Sequence, residues 1–453
     1  MKTQTNKITE NTSLLLLAGP MFLETFLNIL VHNVDTLMLS HYSENAVGAV
    51  GNANQLMSLI ILMFGIISTA TSVVVAQYLG AKQYDKMNMI YTLVLVVNFV
   101  FGLALSVLVV LLKVPCMQLL QVSKEMMPDA LTYLNFVGGF LFLQACYNVM
   151  LQILRCNGHT KVGMYISLII NVINIVGNYL FLYGPLKFLN LGVAGVAIST
   201  VIARVAALVM ALVVFYRYRL GKVSLRFLNP FPGKLLAQMI KIGLPSAGES
   251  MSYNMYQMVL LSFVNSMGNE AVNARIYCNS LISLANVFSN SVAMATQIIT
   301  GHLVGAEKED EAYKRVWKTL RISLPITIGL TTINCIISPY SLRLFTSNEK
   351  IIQLAFWIMF VDIFLEIGRC LNMTFVCSLK AAGDYMFPLL VGLFTMWCLG
   401  ATGGYLFGIV AGLGVAGVFM GTATDECIRG LIVMGRWKSG KWRGKSIVKK
   451  EIN

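Results

Sequence analysis

Apolar runs of twenty or more residues recur along the whole length of this 453-residue chain. Each run is long enough to cross the roughly 30 Å hydrocarbon core of a bilayer as a helix. Hydrophobic residues make up 57% of the sequence and charged residues only 12%, which is about half the charged share of a soluble domain. A water-soluble core does not need so many such runs. The pattern therefore predicts an all-α integral membrane protein that crosses the bilayer many times.

The apolar runs divide into twelve predicted membrane helices, whose ends are uncertain by several residues. The predicted helices cover residues 13–40, 47–79, 89–112, 130–152, 162–183, 192–216, 238–265, 273–304, 319–339, 351–378, 386–408 and 411–435. The polar start, Met1 to Thr12, has no apolar segment with a small-residue cleavage site. We therefore expect no cleaved signal peptide, and the first helix would act as its own insertion signal.

Lysine and arginine are distributed unevenly between the two sides of this topology. Twelve spans put both termini on one side, and the loops and tails of that side hold 25 of the 34 basic residues. The opposite loops hold five, and the other four lie within or at the edges of spans. The positive-inside rule then predicts that both termini are cytoplasmic. It also accounts for the net charge of +14 without nucleic acid as a partner.

The second half of the chain repeats the first at an offset of 225 residues. The repeated positions include Pro20 and Pro245, Glu24 and Glu249, Asn54 and Asn279, and Gly80 and Gly305. The hexapeptide LGVAGV occurs at 191–196 and again at 413–418, an offset of 222 that is consistent with a shorter last outer loop. This repetition indicates an internal duplication. Because each copy holds six helices, both insert with the same orientation, which predicts two pseudo-symmetric six-helix bundles around a cavity.

The duplication also predicts the domain organisation. We expect an N-terminal bundle over residues 1–216, a cytoplasmic linker over 217–237, a C-terminal bundle over 238–435 and a basic cytoplasmic tail over 436–453. The linker is polar and basic, and it contains the turn-rich run Asn229-Pro230-Phe231-Pro232-Gly233. The nine cysteines show neither CxxC pairs nor zinc-ligand spacing, so we interpret them as small hydrophobic residues.

Several short motifs carry a family resemblance when their order and spacing are taken together. They are Ala18-Gly19-Pro20 with Asp35, Gln77 to Ala81, Leu154 to Gly158, Asn174 with Asn178, Leu191 to Thr200, Gly243 to Pro245, Val304 to Ala306 and Leu379 to Asp384. Over nearly its whole length the chain resembles the multidrug and toxic compound extrusion family, and looks closest to its branch named after a bacterial DNA-damage-inducible membrane protein. The resemblance implies alternating access and export of organic, often cationic, compounds driven by inward flow of H⁺ or Na⁺, with no other cofactor.

The first predicted helix contains a carboxylate, Asp35, that we expect to bind the coupling ion. Charges within apolar spans are costly and normally face a bundle interior or a wet cavity. Asp35 lies about 8 Å from the outer end of its helix, at a depth similar to that of Asn174, Asn178 and Thr200. The second copy has Leu260 at the matching position. Since both copies need similar helix packing, retention in one copy favours a functional role for the cluster.

The nature of the coupling ion stays open at this stage. A carboxylate with amide and hydroxyl oxygens suits Na⁺, whereas a buried carboxylate that takes up a proton suits H⁺. The family often has an aspartate at the position of Asn178, so this chain has one negative charge fewer there. Asn174 and Asn178 also fit an alternative role as polar contacts between membrane helices.

Polar stripes on the first and seventh predicted helices indicate a substrate cavity. The first-helix residues are Glu24 and Asn28 on the stripe and His32 slightly off it, and the seventh-helix residues are Glu249, Tyr253 and Tyr256. An anionic and aromatic wall would suit lipophilic cations. The repetition of Glu24 as Glu249 fits equally well a cavity lined by both copies or a symmetric packing contact.

The tenth predicted helix carries a third group of charges. Asp362, Glu366 and Arg369 are spaced by four and three residues, so they share one helix face. We place Asp362 and Glu366 at the cavity. The alternatives are a coupling site of the second bundle and a self-neutralised buried network.

These features together predict a secondary active multidrug antiporter of the cell inner (plasma) membrane and not an enzyme. The sequence has no GxxxxGK[ST] motif and no catalytic constellation, so an ion gradient is the expected energy source. We expect small-molecule drugs or toxic metabolites as substrates, membrane lipid as the surroundings and a monomer as the working unit. The main alternative is a flippase for lipid-linked saccharides of the same superfamily, which would need a larger and more cationic cavity. Membrane enzymes and channels are alternatives of a different class.

Overall fold

The computed structural model describes residues 8–9, 11–343 and 346–448. Within these residues every regular element is helical, because a bilayer offers the backbone no hydrogen-bond partners and a helix satisfies its own. Lys2, Lys7 and Lys450, which contribute to the predicted charge asymmetry, lie outside the described residues.

Twelve long helical segments follow one another along the described chain, and we label them α1 to α12. Their bounds are α1 Leu14–Tyr42, α2 Glu44–Gly80, α3 Tyr84–Leu119, α4 Met127–Gly138 with Leu141–Cys156, α5 Thr160–Leu182, α6 Val193–Arg217, α7 Gly233–Asn265, α8 Asn269–Gly305, α9 Glu309–Leu342, α10 Glu349–Ala381, α11 Met386–Val410 and α12 Gly414–Lys438. The two parts of α4 are bent by 45°. The predicted all-α membrane fold with twelve helices is confirmed.

Apolarity alone identifies fewer of these helices as membrane spans. Within the described residues, nine helices are long and apolar enough to cross a membrane, and the bent α4 makes a tenth. The other two, α7 and α12, have polar or charged side chains within their central parts, among them Glu249 in α7 and Asp425 in α12. The helices also extend beyond their apolar parts. Helix α3, for example, covers residues 84–119, whereas hydropathy predicted 89–112. The helix is longer than its apolar part because backbone hydrogen bonding continues past the hydrocarbon region.

The chain forms two compact units. The first contains residues 19–75 and 83–243, and the second contains residues 11–18, 76–82 and 244 onward. In the first unit, small residues of α2 such as Ala46, Ala49 and Ala53 are fully buried against Leu134 of α4 and Ala197 of α6. Small side chains let membrane helices approach closely, which favours packing in lipid. The domain boundaries drawn from sequence stay a prediction.

The second unit contains a reciprocal contact between the ends of α2 and α8. A Cβ atom on Gly80 would lie 2.0 Å from the carbonyl oxygen of His302, and one on Gly305 would lie 2.0 Å from the carbonyl oxygen of Gln77. Gln77 and His302 are themselves 225 residues apart. The duplicated glycines are therefore explained by a close backbone approach that leaves no room for a side chain.

The chain after α12 folds back onto the second unit. The Trp437 and Trp442 rings stack with their centroids 4.1 Å apart, and both side chains are buried. Arg436 and Lys445 bind the Asp384 carboxylate at 2.9 and 2.7 Å. The predicted basic tail is thus packed at least as far as Lys445. Its residues from 449 onward lie outside the described residues.

Candidate functional site

The first unit contains a polar cavity of about 630 Å³. This volume lies in the range of pockets that hold small organic molecules. Six of the predicted site residues line it: Glu24, Asn28, His32, Asp35, Asn174 and Thr200.

Asp35 lies at the centre of a cluster formed by three helices. Asn178 of α5 donates a hydrogen bond to Asp35 Oδ1 at 2.8 Å. We assign the Asn174 amide with its nitrogen towards Asp35, where it donates at 3.0 and 3.1 Å while its oxygen accepts from Thr200 Oγ1 at 3.3 Å. Asn174 and Asn178 are four residues apart, so they project from one face of α5. The four residues chosen from sequence depth therefore lie together.

A second set of hydrogen bonds joins α1 to α5 near Asn28. The Asn28 side-chain oxygen accepts from Ser167 Oγ and from Asn171 Nδ2, each at 2.9 Å. Asn28, Ser167 and Asn171 all line the first-unit cavity. The polar stripe of α1 is thus matched by a polar stripe of α5, and interhelical hydrogen bonds of this kind hold membrane helices together.

The repeated glutamates are ion-paired in both copies. Glu24 binds Arg155 at 2.8 Å, and Glu249 binds Lys380 at 2.6 Å. Arg155 and Lys380 are also separated by 225 residues, so the entire ion pair is duplicated. Both cations are largely buried, since their side chains are only 10% and 12% exposed. The pairing supports the symmetric packing role and removes the expected free anionic charge.

The second unit contains a smaller cavity of about 260 Å³. Tyr253 and Asp362 line it, as does Arg369. Three other residues predicted for a cavity wall, Glu249, Tyr256 and Glu366, are not among its lining residues.

Those three residues have neighbours that account for their positions. Glu249 is held by Lys380, and Glu366 forms an ion pair with Arg369 on the next turn of α10. Tyr256 is fully buried, and its hydroxyl donates to Thr422 Oγ1 at 3.3 Å. These residues pack the second unit and do not form the wall of its described cavity.

Helix α12 adds charges that the sequence reasoning did not use. Arg429 binds Asp425 at 3.0 Å and Glu426 at 3.1 Å, and all three side chains are at most 4% exposed. Together with Glu366 and Arg369 they form a set of buried ion pairs with three carboxylates and two guanidinium groups, which favours a buried charge network over a substrate site for this part of the second unit. In the sequence, Asp425 precedes Arg429 by four residues and Glu426 precedes it by three, and these helical spacings could have indicated the ion pairs.

Polar residues of α4 were also overlooked. Gln144, Asn148 and Gln152 line the first-unit cavity, and Gln144 Nε2 donates to Asn148 Oδ1 at 2.9 Å. Their regular spacing of four residues, which puts them on one helix face, would have revealed them.

The position equivalent to the Asp35 cluster is apolar in the second unit. Leu260 and Met396 are at most 2% exposed and belong to one hydrophobic cluster. A Cβ atom on Gly400, near the position that matches Asn178, would lie 2.5 Å from the hydroxyl oxygen of Tyr256. The polar cluster is thus not repeated as a set, although Thr422, which matches Thr200, keeps its hydroxyl and lines the smaller cavity together with Leu260.

Comparison with known proteins gives one consistent result. The family model described as MatE matches residues 20–180 and 245–406, one stretch in each copy. A protein of Bacillus subtilis (strain 168) named "Uncharacterized transporter YisQ" is 38% identical over 435 residues, which is 96% of each chain. A protein of Thermotoga maritima named "Probable multidrug resistance protein NorM" is 24% identical, covering 97% of this chain and 94% of the relative.

A solved structure with the same fold supports this result. It is described as the "Outward-facing conformation of a multidrug resistance MATE family transporter of the MOP superfamily". It aligns with a TM-score of 0.88 at 19% sequence identity and covers 98% of this chain and 99% of that chain. The likeness is one of fold, and the closer branch assignment stays a prediction. As its motifs predicted, the chain belongs to the multidrug and toxic compound extrusion (MatE) family of membrane transporters.

Proposed function

We propose that this transporter is a secondary active exporter of organic small molecules in which Asp35 couples export to the inward flow of a cation. The observation that carries the proposal is the environment of Asp35 on the cavity wall. Within the described part of the chain, its partners are the amides of Asn174 and Asn178 and not a basic side chain. Glu24, on the same helix, is by contrast held by Arg155. Asp35 is therefore the carboxylate of this cavity whose charge can change without breaking an ion pair.

Neutralisation of Asp35 would alter the packing of three helices. A half-buried carboxylate costs free energy unless hydrogen bonds or a cation compensate its charge. Uptake of a cation from outside removes that cost and lets α1, α5 and α6 adopt a packing that the charged form disfavours. Coupling is reciprocal, so if the cation weakens substrate binding, the substrate weakens cation binding by the same factor.

The hydrogen-bond directions around Asp35 favour H⁺ over Na⁺ as the coupling ion. The amide nitrogens of Asn174 and Asn178 both point at the carboxylate, whereas a hard cation such as Na⁺ needs oxygen ligands. Binding Na⁺ would require both amides to turn. Adding a proton to one carboxylate oxygen disturbs only the hydrogen bonds that reach that oxygen.

The flippase alternative has less support from the cavity. A lipid-linked saccharide carries phosphate, which free cationic side chains would have to bind. Of the two guanidinium groups that line the first-unit cavity, Arg155 is paired with Glu24, and Arg204, which donates to the Val137 carbonyl at 2.9 Å, is the single cation without a carboxylate partner among the described residues. The expected preference for organic cations also loses its basis, because Glu24 and Glu249 are ion-paired.

The distribution of basic residues supports the remaining parts of the proposal: a location in the inner (plasma) membrane with both termini cytoplasmic. The internal duplication supports a monomer as the working unit. Accessibility of cysteines introduced at Ser43 and at Asn453 tests the orientation. Labelling of position 453 from outside the cell would contradict it.

Transport in everted membrane vesicles tests the function. The probes are ethidium and a set of uncharged coumarin glucosides, and a H⁺ gradient and a Na⁺ gradient are imposed separately. We expect probe accumulation driven by the H⁺ gradient and abolished by a protonophore. Accumulation driven by the Na⁺ gradient alone would mean that the coupling ion is Na⁺. If neither gradient moved either class of probe, the exporter function would be contradicted.

A further inference from the structure

A row of carboxamide side chains on α4 faces the first-unit cavity. Gln144, Asn148 and Gln152 follow one another at intervals of four residues, so they lie on one face of the helix. All three line the cavity. A primary amide both donates and accepts hydrogen bonds, so this face of the helix can pair with groups of either kind.

Part of this surface has unmet hydrogen-bonding capacity. The side-chain oxygen of Gln152 and the hydroxyl of Tyr147, one turn earlier on α4, have no hydrogen-bond partner among the described residues. Both residues line the cavity, and they are only 9% and 6% exposed. Both atoms have almost no exposed surface, so a bound molecule reaches them only if these side chains turn towards the cavity.

One pair of ionic groups in the same cavity is mutually neutralised, that of Glu24 and Arg155. Asp35 and Arg204 keep their charges and are hydrogen-bonded to neutral groups, the asparagine amides and a main-chain carbonyl. Neutral polar side chains outnumber these two charges on the wall. Apolar side chains such as Val50 and Ile61 complete the lining.

The second copy does not keep the amide row. The positions 225 residues after Asn148 and Gln152 are Met373 and Cys377, and the position matching Gln144 is Arg369. The matching positions of α10 are helical without these amides, so helix formation does not need them. Their presence in the first copy alone requires another reason.

We infer that the α4 amide row binds the uncharged, hydroxyl- or amide-rich part of an amphiphilic substrate, such as a sugar or a peptide-like group. Hydroxyl and amide groups match the paired donors and acceptors of Gln144, Asn148 and Gln152. An apolar part of the same molecule can contact Val50 and Ile61. The inference rests on the proposed exporter function and names the substrate class of its cavity.

Paired probes and near-isosteric variants test this inference. Coumarin glucosides are uncharged, hydroxyl-rich probes, and their aglycones are the same molecules without the sugar. Ethidium is a monocation that has no sugar. Asn148→Met and Gln152→Met remove the amide. Methionine matches glutamine in length, and at position 148, where it is longer than asparagine, the variant of equal length that keeps the amide is Asn148→Gln. Asn148→Gln and Gln152→Asn keep the amide, and Met373→Gln adds one at the matching position of the second copy.

The readout is the ratio of apparent affinities for glucoside and for ethidium, because a poorly folded variant loses both together. We expect the wild type to export glucosides better than aglycones. Each methionine variant should lower the affinity ratio about fivefold, the effect of one lost hydrogen bond, and the amide-keeping variants should restore most of it. Met373→Gln should leave the ratio unchanged.

Two results would overturn the inference, and they are distinguishable. Gradient-driven export of ethidium without any export of glucosides, or a glucoside-to-ethidium ratio unaffected by both methionine variants, would refute the substrate class and leave the exporter function standing. No gradient-driven export of any probe would refute the exporter function and the substrate class with it.

Discussion

The two copies of the duplicated unit keep the same ion pair but not the same cavity. Glu24 with Arg155 in one copy corresponds residue for residue to Glu249 with Lys380 in the other. Both pairs are largely buried, and each joins the first helix of its copy to the end of the fourth. A contact preserved in both halves after duplication serves a need that both halves share, which is helix packing.

Positions that differ between the copies indicate residues with a role in one copy only. Asp35 is surrounded by amides on the wall of a 630 Å³ cavity, whereas its counterpart Leu260 is packed in a hydrophobic cluster. The amides Asn148 and Gln152 of the first copy likewise have no polar counterpart in the second. The comparison separates residues that stabilise both units from residues that give one unit its chemistry.

The largest stability effect should follow from breaking the duplicated ion pair. Glu24→Gln leaves the Arg155 charge buried without its partner, and we expect a loss of about 3–5 kcal/mol in the free energy of unfolding. Glu249→Gln should fall at the lower end of that range, because Glu249 and Lys380 are slightly more exposed. Thermal melting of the purified protein in detergent measures both.

The exposed pair of Arg343 and Glu349 provides the control for this comparison. Their side chains are 60% and 74% exposed, and an ion pair in that setting contributes about 0–1 kcal/mol. Glu349→Gln should therefore change the melting temperature little. If Glu24→Gln were as mild as Glu349→Gln, the buried pair would not stabilise the first unit as we describe.

Breaking the reciprocal glycine contact should give the next largest loss of stability, and the loss should be similar for the two glycines. Gly80→Ala and Gly305→Ala each force a Cβ atom against a carbonyl oxygen, and overpacking of this kind costs about 1–3 kcal/mol. Gly329→Ala is the matched control, since a Cβ there meets no heavy atom within 4 Å. A large difference between Gly80→Ala and Gly305→Ala in melting temperature would break the symmetry argument.

Exchanging the basic residues of the two ion pairs, Arg155 and Lys380, should have the smallest effect on the free energy of unfolding. Arg155→Lys and Lys380→Arg keep the charge and transfer the residue of one copy into the other. We expect each to cost about 1 kcal/mol, the contribution of a single hydrogen bond. Melting curves of the two variants and of the double variant measure this, and a loss as large as that of Glu24→Gln would mean that the two sites are not equivalent.

The sequence predicted the fold and the Asp35 cluster for physical reasons that are local. Apolar runs, interrupted by polar side chains in α7 and α12, indicate the twelve helices. The helix rise places Asp35, Asn174, Asn178 and Thr200 at similar depth, where hydrogen bonds join them. The partner of Glu24 was not predicted. Arg155 is 131 residues away and next to a loop, so its burial depends on how α1 meets α4.

The chemistry of the cavity wall was misjudged for the same reason. A stripe of side chains on one helix shows which groups are present but not which neighbour neutralises them. Glu24 and Glu249 looked like an anionic wall until their cations were located. Tyr256 shared the Glu249 stripe, but its hydroxyl is directed to Thr422 and its ring is buried.

The most direct test of the account compares gradient-driven efflux by Asp35→Asn and Asp362→Asn in everted vesicles. Asparagine mimics the neutral carboxyl group with little change in shape. The account predicts that Asp35→Asn folds, reaches the membrane and still binds probe but loses gradient-driven efflux, whereas Asp362→Asn keeps most of it. Normal transport by Asp35→Asn together with loss of transport in Asp362→Asn would assign coupling to the second unit and contradict the account.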